Sequence, residues 1–221
     1  MIFLKEKSKL TTHYRSVLDQ FFGTILTLLY TRLQKDQSDS YKTQASRFYH
    51  IVSAKDGLGA DYFAKHSESL DPKAFTQFYL TIILPTTKLF ARPVDRKLGV
   101  ISYAKTLGNS QAFAERYAKG WGWTCNHMLD LLRNEAGVTA GHGDEIVNEA
   151  DVDDIGFGIG FTPLLTVARG PRDEYPKITN IDGWVGQYIK QANQQHGGRI
   201  AHFITERLEE PSKSAMAAYL Q

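Results

Sequence analysis

Residues Asp144 to Phe161 read DEIVNEADVDDIGFGIGF. Six carboxylates (Asp144, Glu145, Glu149, Asp151, Asp153 and Asp154) come with no basic residue among them, and a glycine-interrupted apolar run, Ile155 to Phe161, follows. The flanking sequence on both sides is helical in pattern. The stretch is therefore either a reactive site set among helices or an acidic loop joining two of them, and the two readings give different proteins. Carboxylates one helical turn apart, such as Asp151 and Asp154, can hold Mg²⁺ and through it a diphosphate, with Asp153 as a further hard oxygen ligand. That chemistry uses a second acidic motif facing the first, and the chain has no second cluster. A solvated acidic loop, open to a basic partner, is the favoured reading. Gly156, Gly158 and Gly160 are not followed by the Gly-Lys-Ser/Thr of a phosphate loop, and no strand precedes them; they read as the lead-in to a helix.

Working outward, apolar residues recur at three- and four-residue steps nearly everywhere, and no segment keeps a period of two. The first helix is expected over 11–33, with Tyr14, Val17, Leu18, Phe21, Ile25, Leu28 and Leu29 on its inner face. A second helix runs over 41–54, with Ala45, Phe48, Tyr49 and Val52 inward, and Asp56-Gly57-Leu58-Gly59 breaks it. After a short helix over 60–69, Asp71-Pro72 opens a helix carrying Phe75, Phe78, Tyr79, Ile82 and Ile83, which Pro85 should kink or end. Pro93 opens the next, with Leu98, Ile101, Ala104 and Leu107 inward. Ser110 caps a stretch reaching Arg133, bent at Gly120 and Gly122. Beyond the acidic run, helices are expected over 156–169, 180–196, 199–210 and 212–220, with Asn180 as a cap and Gly197-Gly198 as a stop.

The expectation is an all-α chain of antiparallel helix pairs: 11–54, 72–107, 110–169 and 180–210, plus the terminal helix 212–220, with the acidic loop 144–154 inside the third pair. Pair starts at 11, 72, 110 and 180 fit only loosely the roughly 40–47-residue period of HEAT repeats, so spacing alone favours an α-solenoid only modestly over a bundle.

Composition narrows the function. At 221 residues, 42% apolar and 23% charged, the chain can bury a substantial core. A net charge of +2 gives no global case for nucleic acid or an anionic membrane, although Lys88, Arg92, Arg96 and Lys97 form a local basic stretch. The most apolar run, Ile25 to Tyr30, is far short of a bilayer span. Cys125 is the only cysteine, which excludes an internal disulfide and favours a reducing compartment; its neighbours suggest a buried, inert thiol. His13, His50, His66, His127, His142, His196 and His202 make no metal-ligand spacing and read as surface or helix-end residues. Ser212 and Ser214 have no recognisable base, and the aromatic residues fall on helical stripes as core. No cofactor is expected.

Five blocks carry a likeness: LLYTRLQ (28–34), TIILPTTKLFARPVDRKLGVISYAKTL (81–107), DVDDIGFGIGFTPL (151–164), VGQYIKQANQQHGGRIAHFITERL (185–208) and YLQ (219–221). In order and spacing they resemble the C-terminal part of the importin-α re-exporter (cellular apoptosis susceptibility) family of the importin-β superfamily. The resemblance implies a right-handed superhelical stack of HEAT repeats, the last few of a chain several times longer. It implies a non-catalytic nuclear export receptor, shuttling between nucleus and cytoplasm, that binds importin-α as cargo together with Ran-GTP. The principal Ran-binding surface would lie in repeats absent here, and nuclear pore proteins are further partners that it admits. Because importin-α carries a basic autoinhibitory segment and Ran has basic surface, Glu149, Asp151, Asp153 and Asp154 are the candidate partner-binding residues. The alternative is a helical Mg²⁺-dependent enzyme acting on diphosphate substrates.

Overall fold

The computed structural model describes residues 2–35, 38–133 and 173–221, with side chains in the first of these from Arg15 onward. Among the described residues the only regular secondary structure is helix. In order these are α1 (Ile2–Lys35), α2 (Asp39–Ala54), α3 (Gly59–Leu70), α4 (Ala74–Phe78), a π-helical segment (Tyr79–Ile83), α5 (Leu84–Lys88), α6 (Pro93–Asn109), α7 (Gln111–Ala114), α8 (Ala118–Arg133), α9 (Ile181–Gln195), α10 (Arg199–Arg207) and α11 (Ser212–Ala218). The expected helix 156–169 and the acidic loop 144–154 lie outside the described residues.

Local signals explain most of the boundaries. Gly57 and Gly59, at φ +85° and +83°, make the break between α2 and α3, and Gly197 and Gly198 turn the chain between α9 and α10 at φ +59° and +85°. Ser110 Oγ accepts from Phe113 N at 3.1 Å, and Asn180 Oδ1 accepts from Gly183 N at 2.9 Å. Asp71 bonds to Lys73 N at 2.7 Å, but α4 proper begins at Ala74.

Three expectations need correction. Of the two outcomes expected at Pro85, an end to the helix does not occur: the chain stays helical to Lys88, and the turn before the proline opens into the π segment, where Leu84 N donates to Tyr79 O. In an α-helix, Pro85 would lack the bond to the carbonyl of residue 81 and its ring would crowd that carbonyl. A wider turn relieves both faults without breaking the helix. The stretch 110–133 is not interrupted at Gly120 and Gly122; it breaks earlier, between α7 and α8 at Glu115 to Tyr117. The glycines sit inside α8 for packing, and a Cβ on Gly122 would lie 3.0 Å from the Arg207 carbonyl oxygen. Finally, the inner face of α1 is turned from the expected one. Phe22, Leu26, Leu29 and Leu33 are buried, whereas Val17, Phe21, Ile25 and Leu28 are exposed.

Packing runs in two series. In one, α6 lies between α2 and α9; in the other, α1 meets α3, α3 meets α4, α5 meets α8, and α8 meets α10 and α11. Two helices tie the series together: α6, also packed on α8, and α2, also packed on α3, the π segment and α5. The shared core is strongly aromatic, with Tyr49, Phe63, Phe75, Tyr103, Phe113 and Trp121 fully buried. Phe63 and Phe78 stack with centroids 5.6 Å apart, and Trp121 Nε1 donates to Leu107 O at 3.1 Å.

Polar ties join the elements. Arg47 of α2 pairs with buried Asp95 of α6 at 2.9 Å. Asp61 of α3 accepts from Gln111 N at 2.8 Å and Ala112 N at 3.2 Å, so one helix caps the start of another. Arg199 donates to Gly108 O at 3.2 Å, and Arg207 to Ala114 O at 2.9 Å, meeting carbonyls left over at the ends of α6 and α7. Where the description resumes, Lys97 binds both Asp173 and Tyr175 O at 2.8 Å, and Tyr175 OH donates to Ala54 O at 2.8 Å.

Candidate functional site

The four carboxylates singled out from sequence, Glu149, Asp151, Asp153 and Asp154, lie outside the described residues. Within them, no group of three or more histidine, cysteine or acidic side chains could hold a metal ion. The Cys125 thiol is fully buried and burial pushes its pKa far up, so it stays protonated and out of reach. The basic stretch from 88 to 97 is largely spent inside the molecule. Arg96 donates to Leu131 O at 3.0 Å, Lys97 is paired with Asp173, and Arg92 lies 3.8 Å from Asp95.

One histidine departs from the expectation of surface or helix-end positions. His50 is fully buried in α2, among the rings of Tyr49, Phe90 and Tyr103. Thr87 Oγ1 donates to Ile83 O at 2.7 Å, so at the 2.7 Å contact between the two side chains His50 Nε2 is the donor. Nδ1 is buried with no partner. Burial lowers the pKa to about 3, which keeps the ring neutral.

What the described surface offers is concave space, one groove of mixed polarity and one mainly apolar. One groove, about 520 Å³ and of mixed polarity, lies between α1 and the α4–π stretch, with Tyr30, Leu70 and Ile82 along it beside Gln34, Asp71 and Gln77. Tyr30 OH meets Ser67 Oγ at 2.6 Å, and burial pushes the phenol up to about 12. A second groove, about 370 Å³, lies between the α4–π stretch and α7–α8. The aromatics of α4 and α7 are core, as their stripes predict, but Trp123 is 44% exposed at the rim of this groove. Its position two residues from the buried Trp121, off the apolar stripe of α8, was the available signal. On α1 the exposed stripe includes Leu28 at 66% and Phe21 at 57%. Such surfaces take up side chains of another segment.

Fold and surface together define the class: over the described residues, a helical protein with surface grooves and an exposed apolar stripe on α1. Residues 7–219 match the family described as CAS/CSE protein, C-terminus, and the chain belongs to that family. Similar proteins include the importin-alpha re-exporter of Schizosaccharomyces pombe, 23% identical over 216 residues, covering 95% of this chain and 22% of that one. The importin alpha re-exporter of Saccharomyces cerevisiae is 24% identical over 200 residues, covering 89% and 20%. Exportin-2 of Xenopus laevis is 19% identical over 206 residues, covering 92% and 21%. The chain thus spans about a fifth of the length of these relatives. No significant match to a solved structure was found. The relatives are named for export and not for catalysis, and the diphosphate-enzyme alternative is left without support.

Proposed function

We propose that this chain acts as the C-terminal helical part of a nuclear export receptor, one that binds importin-α together with Ran-GTP and returns importin-α to the cytoplasm. The observation that carries the reading is the family match over 7–219. The helices form HEAT-type antiparallel pairs stacked in a right-handed superhelix. The two series of contacts, α2–α6–α9 and α1–α3–α4 with α5–α8–α10, support two layers of stacked helices. Flexing between repeats couples the two partners, so each raises the affinity for the other by the same factor. Work at the pore brings the chain near nuclear pore proteins and has it shuttle between nucleus and cytoplasm. Glu149, Asp151, Asp153 and Asp154 contribute to contact with a basic partner surface.

The test is retention of importin-α by the immobilised chain, and by a longer chain containing it, with and without GTP-loaded Ran. Retention should be weak for the chain alone and stronger when Ran-GTP is added to the longer one. If neither chain retains importin-α at low salt, with or without Ran, the reading is wrong. Neutralising the four carboxylates to Asn or Gln should lower the affinity and flatten its salt dependence. Unchanged affinity and slope would remove them from the interface while leaving the receptor reading in place.

A further inference from the structure

We propose that residues 173–178 form a brace that limits bending of the α2–α6–α9 row about α6. In that row α6 lies between α2 and α9, and the brace leads into α9, is held by α6 and reaches α2. On α6, Lys97 Nζ donates to Asp173 Oδ2 and to the Tyr175 carbonyl, both at 2.8 Å. On α2, the Tyr175 hydroxyl donates to Ala54 O at 2.8 Å. Ala54 is the last residue of α2, so its carbonyl is left over at the end of the helix. Lys105 of α6 donates to that same carbonyl at 2.7 Å and to Asp56 at 2.6 Å, with its ammonium 5.7 Å from the centre of the Tyr175 ring. Beneath these bonds Tyr175, Ile178, Ile181 and Trp184 pack on Ala54 of α2 and on Leu98 and Ile101 of α6.

The segment is stiff and is anchored at points. Asp173 Oδ1 accepts from Tyr175 N at 2.8 Å, Ile178 N donates to Tyr175 O at 3.0 Å, and Pro176 fixes φ between them. Between its anchors it does not lie flush on the helices. Clefts of about 160 and 120 Å³ lie between Glu174 and Tyr175 on one side and Ile51 and Leu98 on the other. Its hold thus depends on a few polar bonds between partly sheltered groups, Lys97 at 18% and Asp173 at 32% exposure. A stiff segment fixed to both outer helices resists their splaying about the middle one, because opening that angle stretches its bonds. Hydrogen bonds weaken steeply with misalignment, so a few are enough to restrict the angle. Without them α2 and α9 still pack on α6, and the row stays assembled while its angle is freed. These contacts belong to the chain alone, so the brace acts whether or not the receptor reading holds.

The experiment measures the spread of distances between nitroxide labels on the two outer helices by double electron–electron resonance. The labels sit at Ser40→Cys in α2 and Gln187→Cys in α9, both exposed, whereas Cys125 is fully buried. Tyr175→Phe keeps the ring and removes only the bond to Ala54; Lys97→Met keeps the stem and removes both bonds to the brace. Tyr30→Phe is the control, since it removes a hydroxyl contact with Ser67 that joins α1 to α3, away from the row. The labelled parent should give a narrow distribution. Both brace variants should widen it, Lys97→Met more than Tyr175→Phe, and the control should leave it unchanged. Urea midpoints show which chains remain folded, and Tyr175→Phe, which loses a single hydrogen bond, keeps the test open if Lys97→Met does not fold. An unchanged width in folded Tyr175→Phe overturns the proposal. Equal widening in Tyr30→Phe also overturns it, because the width would then follow lost stability and not the brace. So does a parent distribution already as broad as those of the brace variants.

Discussion

His50 shows how far one residue can shape the chain's response to solution conditions. Its neutral ring is locked between aromatic side chains, donates to Thr87, and has no acceptor for a second proton on Nδ1. In the unfolded chain the same group titrates near 6.5; in the fold its pKa lies near 3. Between those values the unfolded state binds more protons, so the stability that neutral His50 brings is present above about pH 6.5 and is lost as pH falls towards 3. From pH 7 to pH 5 this amounts to about 2 kcal/mol. His50→Asn should therefore be less stable than the parent at pH 7 but lose less on going to pH 5, as read from urea midpoints at the two values. Equal losses would show that the ring already carries a proton in the fold. His66 and His127 are also lowered by burial and act in the same direction, so the parent's total loss should exceed the share of His50. Two glycines make a second contrast at this scale. Gly122→Ala sets a Cβ 3.0 Å from the Arg207 carbonyl and should cost about 1–3 kcal/mol, because backbone has to move. Gly23→Ala in α1 meets nothing within 4 Å and should stabilise by about 0.5–1 kcal/mol. Thermal melts of the two variants should move in opposite directions.

Helix α1 separates what periodicity reveals from what it does not. Its apolar residues cover a wide arc. At 3.6 residues per turn, Val17, Phe21, Ile25 and Leu28 fall on one half and Phe22, Leu26, Leu29 and Leu33 on the adjoining half. Sequence shows that the arc exists, but which half meets the core depends on where α2 and α3 stand, and that is a tertiary fact. The inward residues of α6 were read correctly because that helix is buried on nearly every side, so Leu98, Ile101, Ala104 and Leu107 meet neighbours whichever way it is turned. Phe22→Ala should cost about 3–5 kcal/mol, whereas Leu28→Ser should change stability by no more than about 0.5 kcal/mol, measured by denaturant unfolding. Comparable losses in both would mean that the exposed half of the arc is covered. Caps and glycine turns were legible because each acts within a few residues, as at Ser110, Asn180, and Gly197 with Gly198. The π segment before Pro85 was not, since a proline fault can be met by a kink, a stop or a widened turn, and packing chooses among them. The aromatic groove escaped for a related reason: stripes mark rings as core, and only the fold shows Trp123 at its rim.

At the scale of the molecule, the question is whether the described helices unfold together or in pieces. Helical repeat arrays contact only near neighbours, so their stability is close to a sum of local terms and long arrays lose cooperativity. Here α6 works against separation. It lies against α2 and α9 in one series and α8 in the other, and side chains from distant elements grip its ends: Arg47 at Asp95 near its start, Trp121 and Arg199 at the carbonyls of Leu107 and Gly108 near its finish. Leu107, 1% exposed, stands where these contacts meet. If α6 is the element that makes the described helices one cooperative unit, Leu107→Ala should lower stability by about 2–5 kcal/mol and should move every probe alike. Far-UV circular dichroism, which averages over the helices, and tryptophan fluorescence, which reports on α8 through Trp121 and Trp123 and on α9 through Trp184, should then give coincident urea transitions in the parent and in the variant. Transitions that coincide in the parent but separate in Leu107→Ala would show that the coupling depends on this one contact region and not on α6 as a whole. Transitions already separate in the parent would mean that the helices on either side of α6 unfold independently.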